Sequence, residues 1–314
     1  MQVLQVSHLT KLFSSGFWPF STTPHLAVND ISFELRKGEI LGFLGPNGAG
    51  KTTTIQMLLG TLTPTSGTIT YFDKNFTQNR INVLRKIGYA SGYDKLPPRL
   101  TVTENLDIIG RIYNIPYTQR TEQIEKLLRF FQLWELRDRQ TGTLSAGQAT
   151  RVMLAKAFIN SPEIVLLDEP TASLDPDVAE QVRTFILAQA KERGTSILIT
   201  SHNMDEVTQL CDRVLVLKNG TIIANDTPQQ LAQSISQARL HVTISHGIAQ
   251  AQSCLQELGL VHTITGDNIT IEVDEQAIAP LLLQLSESKV TYSYISIDKP
   301  TLEDYFLSIA KGTV

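Results

Sequence analysis

The sequence is poor in cysteine, in aromatic residues and in charge. Only two cysteines, Cys211 and Cys254, occur in 314 residues, and they form no CxxC pair. That excludes a disulfide framework and a thiolate zinc site, and it fits a reducing compartment. Aromatic residues are 7% and charged residues 18% of the chain, against 42% hydrophobic residues. This balance excludes a disordered, tail-like protein. An excess of basic charge is absent too: 27 Lys plus Arg face 31 Asp plus Glu, a formal net charge of −4. A general nucleic-acid binder carries the opposite sign, so no nucleic-acid partner is expected. Long apolar runs are missing. Runs such as Ile164 to Leu167 fall far short of the roughly 20 residues that span a bilayer. The stretch after Met1 lacks the charged-then-apolar pattern of a signal segment. These absences predict a soluble, cytoplasmic protein that meets a membrane, if at all, through a partner. The length suits one large domain or two ordinary ones with a substantial core.

What is present begins with alternation. Residues 2–13 (Val3, Leu4, Val6, Leu9, Leu12) predict a strand with a polar turn. Residues 14–24, rich in Gly, Pro and aromatics such as Phe17 and Trp18, predict an extended loop. A second strand follows over 27–35. Next comes a nearly continuous apolar strand over 39–45, typical of a buried sheet position. A helix is expected from Gly50 to near Gly60, and a strand pair over 62–72. Residues 101–139 are amphipathic and helical, and they predict a helical subdomain set into the α/β core, with outer limits near 89–150. Beyond Leu144 the α/β pattern returns with helix 146–159, strand 163–168, helix 177–193, strand 196–200 and helix 203–211. A strand pair turning at Asn219-Gly220 ends this part. After Pro228 the order restarts as β-α-β-β-α-β, that of a ferredoxin-like unit, and a helix from Leu302 to Lys311 closes the chain. The expected domains are 1–234 and 235–314.

Gly45-Pro46-Asn47-Gly48-Ala49-Gly50-Lys51-Thr52 fills the pattern GxxxxGK[ST] between a buried strand and a helix. Its glycines let the backbone wrap phosphates without Cβ clashes. Inward amides and the helix N-terminus, which continues through Thr53, supply positive potential. Lys51 is placed to reach the β- and γ-phosphates, and the Thr52 hydroxyl to hold Mg²⁺. A phosphate-bearing ligand with Mg²⁺ is therefore expected, and the resemblance drawn below implies that it is ATP.

A second apolar strand ends in two acids, Asp168 and Glu169. Acids there are costly unless they meet a cation or a polar network. The phosphate loop's Mg²⁺ would supply the cation, with Asp168 holding it through a water ligand. Neighbouring strand residues point to opposite faces, so Glu169 takes a different role, as general base or water-orienting group.

With these residues in hand, the chain resembles an ATP-binding-cassette (ABC) ATPase. Leu144-Ser145-Ala146-Gly147-Gln148 resembles the family's LSGGQ signature, with Ala146 in place of the first glycine, and Asp168 stands 20 positions beyond Gln148. Ser173-Leu174-Asp175 resembles the family's D-loop. His202 matches its switch histidine, and Phe13 stands where the family stacks an aromatic on adenine. Phe17 or Trp18 could stack there instead. Ser145 followed three residues later by Gln148 also reads as a capping box, whose helix start forms a second anion site. The resemblance implies two cassettes packed head to tail, as a homodimer or a cassette heterodimer. Each signature then lies over the other's γ-phosphate, and a separate integral-membrane permease docks on the helical subdomain. It implies a transporter ATPase, of exporter type, on the inner face of the cell membrane. The alternatives are a soluble ABC ATPase acting in translation or on DNA, and a regulatory cassette with weak hydrolysis.

Two departures stand out. Where the family carries a glutamine, this chain has Gly92, with Tyr93 and Asp94 as the nearest substitutes. The aromatic loop 14–24 lengthens the usual hairpin, with a solvated extension and a permease or lipid contact as its two readings. The C-terminal domain holds no catalytic constellation. It resembles the tails of exporters whose ATPase and permease are separate chains.

Overall fold

The computed structural model describes residues 1–13, 24–92, 95–172, 174–234 and 237–311. The sequence-stretch 14–23, with Phe17 and Trp18, and the residues Tyr93, Asp94 and Ser173 lie outside them. The chain divides into two compact units, Met1–Pro228 and Gln229–Val314. The break falls a few residues ahead of the boundary expected from the sequence.

The first unit opens with β1 (Gln2–Phe13), β2 (His25–Arg36) and β3 (Ile40–Leu44), then α1 (Lys51–Leu58). Next come β4 (Ser66–Tyr71), β5 (Lys74–Asn75), α2 (Phe76–Leu84) and β6 (Ile87–Ser91). Three helices follow: α3 (Val102–Ile112), α4 (Tyr117–Phe130) and α5 (Ala146–Ala157). The unit continues through β7 (Ile164–Asp168), α6 (Pro176–Arg193), β8 (Ser196–Thr200), α7 (Met204–Leu210), β9 (Arg213–Lys218) and β10 (Thr221–Asp226). In place of the strand pair expected over 62–72 there is one strand, β4. The short β5 and α2 follow it, where no element was expected.

An antiparallel sheet runs in the order β2-β1-β4-β5. A six-stranded sheet runs β10-β9-β3-β8-β7-β6. Its pairs are parallel except β10 with β9. Every residue of β3, β7 and β8 is buried. Parallel strands covered on both faces need continuous apolar runs, and ILGFL, IVLLD and SILIT supply them. The core between the two sheets includes Leu35, Leu41, Ile55, Leu166 and Leu198, with Phe33 and Phe43 in edge-to-face contact at 5.1 Å.

The consequence for function lies in strand order. β3, β8 and β7 are neighbours, so the loops at their carboxyl ends emerge side by side. Open α/β sheets bind ligands at that edge. The phosphate loop follows β3, Asp168-Glu169 ends β7, and His202 follows β8.

The helical region is held by its own polar contacts. Thr101 and Glu104 form a capping box at the start of α3. Asp107 on α3 accepts from Arg120 Nε on α4 at 2.5 Å, and Arg120 also donates to Ile115 O at 2.7 Å. A Cβ at Gly110 would lie 2.4 Å from Arg120 Cδ, so glycine makes room for the arginine stem.

After α8 (Pro228–Gln233) the second unit contains β11 (Gln237–His246), α9 (Ile248–Glu257), β12 (His262–Thr265) and β13 (Asn268–Asp274). It ends with α10 (Ile278–Glu287), β14 (Thr291–Asp298) and α11 (Leu302–Lys311). Its antiparallel sheet runs β12-β13-β11-β14. Leu240, Val242, Ile244, Ile269 and Ile271 face a core shared with Leu255 and Leu281 of α9 and α10.

Candidate functional site

The phosphate loop is shaped by backbone that only glycine tolerates well. Gly50, the N-cap of α1, sits at φ 102° with no side-chain cap. A Cβ there would lie 2.5 Å from Ala27 O, and one at Gly45 would lie 2.3 Å from Leu217 O. Lys51 curls back over the loop, its Nζ donating to Gly45 O at 2.6 Å and Pro46 O at 3.1 Å. Burial pulls the Lys51 ammonium below the usual lysine range, while Glu169 and Asp168 pull it back up.

On the neighbouring strands, Thr200 at the end of β8 organises both acids. Its Oγ1 donates to Asp168 Oδ1 at 2.6 Å. Glu169 N donates to Thr200 O and Thr200 Oγ1, each at 3.1 Å. Glu169 adopts φ 54°, a left-handed conformation that costs a side-chain-bearing residue free energy. This turn ends the strand alternation. Both acids consequently face one cavity, although neighbours on a continuing strand would point to opposite faces. Glu169 Oε1 lies 2.5 Å from Nε2 of the half-exposed His202, while Glu169 itself is buried.

One cavity of about 250 Å³ collects Asn47, Gly48, Ala49, Gly50, Lys51, Thr52 and Thr53 with Asp168, Glu169, His202 and Phe13. Gly45 and Pro46 border the loop as the acceptors of Lys51. His25 and Ala27 also line the cavity. Sequence reasoning missed His25. The signal lay in strand pairing, because His25 is the register partner of Phe13. Phe13 is partly exposed, with Lys11 Nζ 5.2 Å from its ring centre.

The signature residues stand apart. Among the described residues lining the cavity, none comes from Ser145, Ala146, Gly147, Gln148 or Asp175. Ser145 N-caps α5 in a full capping box, with Gln148 N donating to Ser145 Oγ at 3.3 Å and Ser145 N donating to Gln148 Oε1 at 3.0 Å. Asp175 N-caps α6 without a side-chain hydrogen bond, and Pro176 occupies its first turn. At the departure point, Gly92 N donates to Asp168 O at 3.1 Å. A Cβ there would meet Glu169 O at 3.2 Å, so any side chain presses on the turn that carries Glu169.

The comparisons with known proteins agree on one family. The family profile described as "ABC transporter" matches residues 28–172. A Nod factor export ATP-binding protein I from Cupriavidus metallidurans is 33% identical over 312 residues, covering 98% of this chain and 97% of that protein. This chain belongs to the ABC transporter family. It is an ATP-binding subunit of ABC type, an ATPase with the mixed α/β cassette fold. A protein of the same description from Burkholderia lata is 40% identical over 209 residues, 67% of this chain and 68% of that one. Among solved structures, the ATP-binding subunit of an ABC transporter has a TM-score of 0.65 at 26% identity, covering 74% of this chain and 92% of that one. The cbiO1 subunit of Clostridium perfringens, described as part of the transporter complex cbiONQ, has a TM-score of 0.62 at 28% identity, over 73% and 90%. A dimeric cassette bound to ADP and Pi in a post-hydrolysis state has a TM-score of 0.66 over 71% and 98%. Its 23% identity makes it a likeness of fold. No helix among the described residues of this cassette is long and apolar enough to cross a membrane.

Proposed function

We propose that this cassette hydrolyses MgATP to drive a separate integral-membrane permease, as the ATPase of an exporter. The observation that carries the reading is the single cavity joining the phosphate loop, both acids and His202. Lys51 and the loop amides neutralise phosphate charge. Phe13, with His25 beside it, offers the base a face to stack on. Thr52 and Asp168 present hard oxygen donors on one cavity, which suits Mg²⁺. No cluster of three His, Cys, Asp or Glu groups among the described residues could hold a metal alone. The ion would therefore complete its shell with phosphate oxygens and water. It would supply charge neutralisation on the transferred phosphoryl group. Glu169 orients the attacking water, and His202 contacts the γ-phosphate and restrains Glu169.

The signature helix start and Asp175 lie outside this cavity, which favours a site completed by a second cassette, identical or related, packed head to tail. The solved cassette of similar fold that binds ADP and Pi is dimeric, which is in keeping with a two-cassette site. Names of relatives that specify export support the direction of transport. The permease would hold the protein at the inner face of the membrane and would meet the helical region, where Ile108 and Ile112 are exposed one turn apart.

Glu169→Gln tests the assignment. Turnover should fall by ~100-fold or more, the scale lost with a positioned proton acceptor. The variant should also elute as an ATP-stabilised dimer in size-exclusion chromatography. A monomer with wild-type turnover overturns the assignment. Gly92→Gln tests the departure: an unchanged ATPase rate and unchanged permease coupling would show that the missing glutamine has no bearing on the cycle.

A further inference from the structure

The turn after Glu169 and the turn before His202 meet on one buried carboxylate, Glu206. It lies on α7 and is 1% exposed. Thr171 Oγ1 donates to its Oε1 at 2.7 Å, and Ser201 Oγ donates to its Oε2. Thr171 stands two residues beyond Glu169, and Ser201 immediately precedes His202. Ser201 Oγ accepts in turn from Asn203 N at 3.1 Å, and Asn203 Oδ1 caps α7 by accepting from Glu206 N at 3.0 Å. None of the ion pairs among the described residues includes Glu206.

A carboxylate this deep, held by hydroxyls and without a cation, is a costly way to fill space. Val207 and Leu210 already supply the buried apolar side of α7. What Glu206 adds is a link, because each of its oxygens holds a different loop. Glu169 also needs such a link, since its left-handed backbone must be kept in place by neighbours. Glu206 lines the cleft next to the phosphate cavity, together with Thr171 and Ser201.

We propose that Glu206 is a positioning residue that ties the Thr171 turn to the Ser201 turn and so sets Glu169 against His202. The proposal rests on the roles given above to that pair. It is tested on the full chain by phosphate release across ATP concentrations, with bound ATP per chain counted by titration with a fluorescent nucleotide. Glu206→Gln keeps the volume and one acceptor, and Thr171→Val keeps the shape and removes one donor. Each should lower kcat about tenfold while KM stays within about twofold and one nucleotide still binds per chain. Glu206→Ala should fall further, so that Gln recovers part of the loss. In a Glu169→Gln background these changes should remove little more, because groups acting as a unit are non-additive.

Wild-type kcat in both Glu206→Gln and Thr171→Val overturns the proposal. A parallel fall of kcat and of bound ATP per chain also overturns it, by marking a purely structural role. If Glu169→Gln loses turnover while the Glu206 variants keep it, only the link fails. If Glu169→Gln keeps turnover, the reading of the site fails and the link fails with it.

Discussion

Two helix starts in the first unit answer the same electrostatic problem in opposite ways. Both α1 and α5 begin with backbone amides that lack intrahelical acceptors. At α1 the N-cap is a left-handed glycine with no side-chain cap, and the loop ahead of it bends around a cavity. At α5 Ser145 and Gln148 cap the start reciprocally. The first is open by construction, and an anion is the natural partner for its amides. The second is capped without a ligand, its hydroxyl accepting from Gln148 N. The difference teaches that the sequence motif at α5 does not alone make an anion site. Under the head-to-tail arrangement proposed above, a partner cassette would bring the phosphate to the Ala146 and Gly147 amides.

The largest effect should come from closing the open start. Gly50→Ala places a Cβ at φ 102° and 2.5 Å from Ala27 O. It should cost roughly 3 kcal/mol in urea unfolding. ATP affinity, followed by fluorescent-nucleotide titration, should fall at least about tenfold, because the loop must shift.

An intermediate effect belongs to the helices that carry the capped start. Asp107→Asn leaves Arg120, whose side chain is 7% exposed, without its carboxylate. Asp107 is itself 26% exposed, so the cost is discounted to roughly 2 kcal/mol. Burial raises the Asp107 pKa, but hydrogen bonds from Arg120 and Arg111 outweigh it and hold the carboxyl below its usual value of 3.8. The folded state then binds fewer protons than the unfolded state in the window between the two pKa values. This stabilisation is present above about pH 4 and is lost as pH falls through the folded-state pKa. Acid titration of wild type and Asp107→Asn should therefore converge only at the acid end.

The smallest effect should come from Ser145→Ala. Losing the cap should cost about 1 kcal/mol. ATP binding to a single chain should stay unchanged, since Ser145 does not line the cavity. A large loss of single-chain binding would break the comparison. A defect confined to ATP-driven dimerisation would sharpen it.

Much of this was legible in the chain. Continuous apolar runs announced β3, β7 and β8, because a parallel strand covered on both faces has no polar side to show. The capping box at Ser145 was readable because it is local, set by residues three apart. The strand pair expected over 62–72 failed for the opposite reason. β4 pairs mainly with distant β1, and its adjoining partner β5 is only two residues long.

By itself, the sequence determined what short spacing controls. The phosphate loop, the strand-ending acids, the Ser145 cap and the βαββαβ order after Pro228 belong here. Tertiary structure alone decided which of them meet. Setting β8 between β3 and β7 joined Lys51, Asp168, Glu169 and His202 in one cavity, drew in His25 across the Phe13 register, and left Ser145 to Gln148 outside. The reason is physical. A motif fixes backbone over a few residues, whereas the neighbours of a strand depend on which apolar faces can be buried together across the whole chain.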